Sequence, residues 1–268
     1  MIEILNHAFF QNAIIAGIFA SIIFGIIGTL VVINRIVFIS GGISHASFGG
    51  IGMSLYLGLD PLIGATIFAV GSALGIGTVG KKSIQRQGTT IGITWAVGMA
   101  IGALFYHITP GYLPPAENFL FGNILMIQNI HVVLIAIFSL VTVLSVALFY
   151  RKIQAVSFDE EFSKILGISS NRIYLLLLVM VSIAIVLLIR VVGIILLIAM
   201  MSIPPTIAGF MTKDMKEMMG WSVVFSLFFI LTGLWLSYTW NTPAGPTIVI
   251  LAGITFLITY VQNKFSKQ

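Results

Sequence analysis

Long apolar runs separated by short polar or Pro/Gly breaks dominate the chain, at roughly 11–33, 43–58, 62–80, 89–107, 131–150, 172–190, 193–211, 218–239 and 245–262. A helix that crosses about 30 Å of hydrocarbon needs about 20 mostly apolar residues, and most of these runs are that long. They are continuous, rich in Leu, Ile and Met, and lack the apolar/polar alternation of barrel strands, so helices are expected. The pattern predicts an all-α, polytopic transmembrane helical bundle of eight or nine spans. The run 43–58 is short, and a re-entrant piece in its place would leave eight. No linker interrupts the series, and residues 1–268 read as a single transmembrane domain.

Composition agrees and narrows the class. Only 8% of the 268 residues are charged, against 59% hydrophobic. A soluble globular chain carries about 25% charged residues, so a soluble enzyme domain is excluded. Disorder is excluded as well, because it needs low hydrophobicity and high net charge. The absence of Cys removes disulfides, thiolate metal sites and thiol nucleophiles. MIEILNHAFF at the start lacks the basic region of a cleavable signal. No basic cluster is longer than Lys81-Lys82 or Arg151-Lys152, so nucleic-acid binding is not expected.

The few charges are placed asymmetrically. Loops around 34–42, 81–88, 151–171 and 212–217, with the C-terminus, hold Arg35, Lys81, Lys82, Arg86, Arg151, Lys152, Lys164, Arg172, Lys213, Lys216, Lys264 and Lys267, whereas the opposite side holds only Arg190. This bias predicts that those loops and the C-terminus are cytoplasmic and, with nine spans, that the N-terminus is outside. The expected location is a bacterial-type cytoplasmic (inner) membrane.

The largest cytoplasmic insertion, about 151–171, reads RKIQAVSFDEEFSKILGISSN. Ser157 is the expected N-cap of a short helix, with Glu160 at its third position and Gly167 ending it after Leu166. Phe158, Phe162, Ile165 and Leu166 share one face, while Asp159, Glu160, Ser163 and Lys164 lie elsewhere.

Inside the apolar runs, His45 stands out in FISGGISHASFGGIG (38–52). Gly42, Ala46, Gly50 and Ser54 form a small-residue stripe on which another helix can approach closely. His45 lies beside that stripe, and two readings stand: a metal ligand or polar group on a translocation path, and a histidine hydrogen-bonded to a neighbouring helix. His7, His107 and His131 read as interfacial groups, as do Asp60, Glu117 and Arg190. Pro204 and Pro205 remove backbone donors late in the seventh span, producing a kink that serves packing or leaves carbonyls facing a cavity. Gly98 and Gly102 are a weak close-packing signal. A GxSxG elbow, an HExxH helix, a Walker loop and paired intramembrane carboxylates are all absent, so the chain has no catalytic constellation and no ATP-binding motif.

Five stretches together resemble the membrane permease subunits of ATP-binding-cassette importers for manganese, zinc or iron(II). Arg35 and the segment to Ala46 resemble an arginine-led motif ending in Ser-His-Ala, matched by Ser44, His45 and Ala46. FGNIL (121–125), FDEEFSKILGIS (158–169), VGIILLIAMMSIPPTIA (192–208) and SYTWNTPAGPTIVIL (237–251) are similar to further motifs of that family, in the same order.

The resemblance implies a homodimer of helical permeases in lipid, two separate cytoplasmic ATPases, and an extracytoplasmic receptor that delivers the metal. The permease would hold no cofactor of its own, the divalent metal being cargo and ATP being used only by the partner. The helix at 158–168 would be the coupling element, with Phe158, Phe162, Ile165 and Leu166 inserted into the ATPase, Asp159, Glu160 and Glu161 at the rim, and Gly167 as its stop. The metal path of the family is associated with an Asp and a His four residues apart. His45 carries over, but the Asp position is Gly41; the family's Glu-Asp ahead of the fourth span is Gln87-Gly88, and an Asp before the last Pro-Gly motif is Asn241. Loss of hard oxygen donors leaves His45 as the metal candidate and leans toward zinc, because imidazole suits zinc and carboxylates suit manganese. Two alternatives stand beside the metal importer: a permease for a chelated-metal or cobalamin-type cargo, and a gradient-driven carrier or channel.

Overall fold

The computed structural model describes residues 8–79, 84–111, 113, 115, 117–122, 124 and 127–266. His7, Lys81, Lys82, Asn123, Leu125 and Lys267 lie outside the described residues, and at Arg86, Glu117, Glu160 and Phe162 only the backbone is described. The described chain folds into α1 (Ala8–Ile33), α2 (Val37–Tyr56), α3 (Pro61–Val79), α4 (Ile84–Ile108), α5 (Glu117–Phe121), α6 (Asn129–Phe158), α7 (Glu160–Ile165), α8 (Ser170–Met211), α9 (Met215–Trp240) and α10 (Ala244–Ser266). No strand occurs among the described residues.

Seven of these helices are long and apolar enough to cross a membrane, making this a multi-pass membrane protein. α8 is one of the seven, yet its 42 residues would extend ~63 Å as a straight helix, about twice the hydrocarbon thickness. It is interrupted at Gly193, whose φ of 73° and ψ of 168° are non-helical and open essentially to glycine alone. The break therefore falls at Gly193, close to the predicted boundary between 190 and 193, while Arg190 stays helical. α2 is not among the seven, because Ser, Gly and His dilute its apolarity. It is 20 residues long, starts at Val37 rather than near residue 43, and is buried along most of its length. Among the described residues, α2 and the two parts of α8 bring the long helical runs to nine, within the eight or nine that the sequence predicts.

The chain clusters into two compact units. One comprises Met1–Ile33, Glu117–Ser145 and Leu188–Gln268. In it α1 meets α9 so closely that a Cβ on Gly25 would overlap Val223, and the hydroxyls of Thr29 and Ser222 pair at 3.1 Å. Pro205 has no N–H for the Met201 carbonyl, and a Cβ on Gly28 of α1 would fall 2.8 Å from that oxygen and 2.9 Å from Pro205 Cγ. The Pro204-Pro205 pair thus meets α1 without non-helical backbone of its own; the only such residue inside α8 is Gly193.

The other unit comprises Asn34–Ala116 and Val146–Leu187 and is organised around α2. The small-residue stripe does what its spacing predicts: a Cβ on Gly50 would overlap the Gly64 backbone of α3, and the Gly64 N–H donates to Ser54 Oγ at 3.1 Å. On the α4 side, Gly42 faces Ile91, Ala46 faces Gly98, and Gly52 faces Gly102, so the two helices run parallel in register. The Gly98/Gly102 signal is therefore a close helix contact. Asp60, read from sequence as an interfacial group, accepts the Leu62 N–H at 2.8 Å and caps α3 with Pro61 at the first helical position.

Candidate functional site

His45 is half-buried on α2, between the residues that hold α3 and α4 close. Its neighbours Ser44 and Ser47 turn their hydroxyls onto backbone carbonyls of their own helix, Ser40 O at 2.8 Å and Ser44 O at 2.6 Å. His45 Nδ1 is buried without a hydrogen-bond partner. The imidazole instead lies flat on the indole of Trp95, with ring centroids 4.0 Å apart and planes 9° from parallel. The reading of His45 as a histidine hydrogen-bonded to a neighbouring helix is therefore not what the structure shows for Nδ1; the neighbouring helix offers an aromatic face.

Trp95 is not among the residues that the sequence motifs single out, although it carries a periodic signal. Ile91, Trp95, Gly98 and Gly102 recur at helical spacing, so the face that carries the close-packing glycines also carries Trp95. Gly41, one turn before His45, is buried and supplies no side-chain donor. Among the described residues no group of three or more His, Cys, Asp and Glu side chains comes together to hold an ion. Among the described residues of a single chain, this place presents the His45 imidazole and not a closed coordination cage.

The other compact unit brings three of the motif segments together. Gly122 of FGNIL has φ 68° and Gly193 has φ 73°; a Cβ on either would overlap the backbone of the other segment. A Cβ on Gly245 of the Pro-Ala-Gly-Pro segment would fall 2.7 Å from the Phe121 carbonyl oxygen. Beside this crossing lies a cavity of about 200 Å³ whose lining includes Phe121, Val192, Leu196, Ser237 and Thr242 and, among the described residues, no ionisable side chain. Ser237 Oγ donates to Thr242 O at 2.5 Å, and Asn241 caps α9 in the left-handed conformation with φ 51°. In the same unit Arg190 Nη1 lies 3.2 Å from His131 Nε2, so both have a protein partner rather than only solvent.

In the predicted cytoplasmic insertion, α6 continues through Phe158 and the short helix α7 begins at Glu160. Ser157 is therefore inside the last turn of α6 and does not cap α7, because residues 151–158 contain no Gly or Pro to stop the long helix. Gly167 ends the segment as expected, at φ 71°, with its N–H on Lys164 O at 3.0 Å and the Ile168 N–H on Ser163 O at 2.9 Å. Ser163, assigned by its spacing to the polar side, is fully buried, its hydroxyl donating to Asp159 O at 2.7 Å. Phe158 is 65% exposed, Ile165 82% and Leu166 56%, an apolar edge left uncovered by this chain. Asp159 and Glu161 are exposed beside it.

Residues 6–263 match the ABC 3 transport family. The chain belongs to that family. It is thus a transport subunit and not an enzyme, ATP hydrolysis being the work of a separate partner. A "Probable metal transport system membrane protein" of Chlamydia pneumoniae is 37% identical over 256 residues, 93% of this chain and 87% of that protein. The manganese transport system membrane protein MntC of Listeria monocytogenes is 28% identical over 258 residues, 96% of this chain and 92% of that protein. Among solved structures, PsaBC from Streptococcus pneumoniae in complex with Fab superimposes with a TM-score of 0.86 at 30% identity, covering 97% of this chain and 94% of that one.

Proposed function

We propose that this chain is the membrane permease of an ATP-driven importer for a divalent transition metal, and that His45 meets the metal on its way through. The reading is supported by family membership across nearly the whole chain together with the one imidazole on the buried, small-residue helix α2 whose Nδ1 has no hydrogen-bond partner. The relatives named for metal and manganese transport point to the same cargo class.

The working unit is two copies of the chain forming the path, two cytoplasmic ATPases, and a receptor on the opposite side. Residues 1–268 act as one permease domain, with the basic loops and C-terminus in the cytoplasm and the N-terminus outside. The exposed edge of Phe158, Ile165 and Leu166, with Phe162 on α7, docks on the ATPase, where Asp159, Glu160 and Glu161 meet basic groups and Gly167 fixes the end of the element. Closure of the ATPases moves these elements and switches the path between its two faces; Pro204 and Pro205, which weaken the helical ladder of α8, serve as the bending point.

The donor set favours zinc. Imidazole is the available ligand, and positions 41, 88 and 241 are Gly, Gly and Asn rather than carboxylates. The test is the metal content of cells in which the chromosomal copy is deleted and replaced by wild-type or His45→Ala protein, grown at limiting zinc, manganese or iron(II). The expected result is a metal deficit with His45→Ala, largest for zinc, at unchanged membrane abundance. An unchanged metal content would remove His45 from the path.

A further inference from the structure

A metal-binding histidine ordinarily has its second ring nitrogen held by a carboxylate, carbonyl or water, which fixes the ring plane and the tautomer. His45 has no such partner on Nδ1. The ring is restrained instead by the parallel face of Trp95, 4.0 Å away. Torsion about the Cβ–Cγ bond of a histidine is broad, so without a restraint the lone pair of the imidazole would sweep a wide arc. Stacking removes that freedom without consuming a nitrogen. The contact is also well supported. Gly42 against Ile91 and Ala46 against Gly98 bracket it on both sides, so the backbones of α2 and α4 set the ring separation.

We propose that Trp95 is the positioning residue for His45: its indole holds the imidazole plane so that an in-plane nitrogen is presented to the transported ion, in place of the usual hydrogen-bonded partner. This rests on the reading of His45 as the residue that meets the metal. The ion contacts His45, and Trp95 acts through it. An aromatic ring at position 95 is what the role requires; the indole N–H is not.

Two measurements on the assembled transporter test it. The first is the concentration dependence of ATP-driven zinc uptake for wild type, Trp95→Phe, Trp95→Leu and His45→Ala. Trp95→Leu is expected to raise the apparent KM roughly two- to tenfold, the worth of one aromatic pair, with the maximal rate much less affected, and Trp95→Phe to restore it. If His45→Ala is inactive while Trp95→Leu matches wild type, or if Trp95→Phe is as impaired as Trp95→Leu, the positioning role is overturned and the metal path stands. If His45→Ala transports normally, the path itself is overturned.

The second measurement covers the case in which Trp95→Leu does not assemble. The chain has four tryptophans, and replacing Trp221, Trp235 and Trp240 by Phe leaves Trp95 as its sole tryptophan, excited selectively over the tyrosines. Cobalt(II) alone, an imidazole-binding quencher, is titrated into this tag-free permease purified without its partners. Saturable quenching that His45→Ala abolishes is the expected result. Quenching that is absent, or that survives His45→Ala, overturns the proposal.

Discussion

Gly122 and Gly193 cross backbone to backbone, each at a positive φ, 68° and 73°, and each occupying the space that a Cβ on the other would need. The crossing joins the turn after α5 to the interruption of α8. It explains why α8 breaks at Gly193 rather than at the charged Arg190 three residues earlier.

Gly193→Ala combines a backbone strain of about 1–3 kcal/mol with overlap against the Phe121–Gly122 backbone, which has no flexible end to move aside. The expected outcome is a loss of at least about 2 kcal/mol, read as a lowered thermal midpoint of the detergent-solubilised protein. Gly253→Ala is the control: nothing lies within 4 Å of its added Cβ, and a helical alanine should be neutral or stabilising. Equal midpoints for the two variants would rule out the crossing as a structural requirement.

Asn241 ends α9 in the left-handed region with its N–H on Ser237 O, a conformation that Asn tolerates and β-branched residues resist. Asn241→Gly is expected to leave stability unchanged and Asn241→Val to lower it by about 1–2 kcal/mol. The comparison also separates the backbone role of this position from any role in binding cargo. A Gly variant that is stable but fails in uptake would show that the Asn side chain is needed beyond the cap.

Ile165 is 82% exposed at the end of α7, so a charge placed there costs the isolated permease little. Ile165→Asp is expected to preserve membrane abundance and thermal stability while strongly reducing co-purification of the ATPase, because an apolar contact is replaced by a desolvated carboxylate. Undiminished recovery of the ATPase would show that this edge is not the docking element.

Element existence was legible in the sequence because apolar runs of membrane-spanning length leave few alternatives. The small-residue stripe Gly42, Ala46, Gly50 and Ser54 was legible for the same reason, being a periodic signal whose consequence is local. The limits were equally physical. α2 looks short in sequence because its Ser, Gly and His residues dilute the apolar signal, and a helix shielded by protein need not be apolar, so the pattern does not mark its start at Val37. Ser157 looked like a cap because its chemistry suits one, but nothing in 151–158 stops α6 from running past it. Asp60 carried a readable sign in the Pro that follows it. Trp95 needed knowledge of which α4 face meets α2, and that register is a tertiary fact.

The central claim is that this chain conducts a divalent transition metal under the control of an ATPase it does not itself contain. The most direct test reconstitutes the permease with its ATPase and loads the cognate receptor on the opposite face of sealed vesicles. Accumulation of zinc, manganese and iron(II) is then followed with and without ATP on the ATPase side. Expected is ATP-dependent accumulation of at least one of the three, with zinc favoured in competition and the signal lost in His45→Ala. Accumulation of none of them by an intact assembly that hydrolyses ATP, or metal flux indifferent to ATP, would contradict the claim.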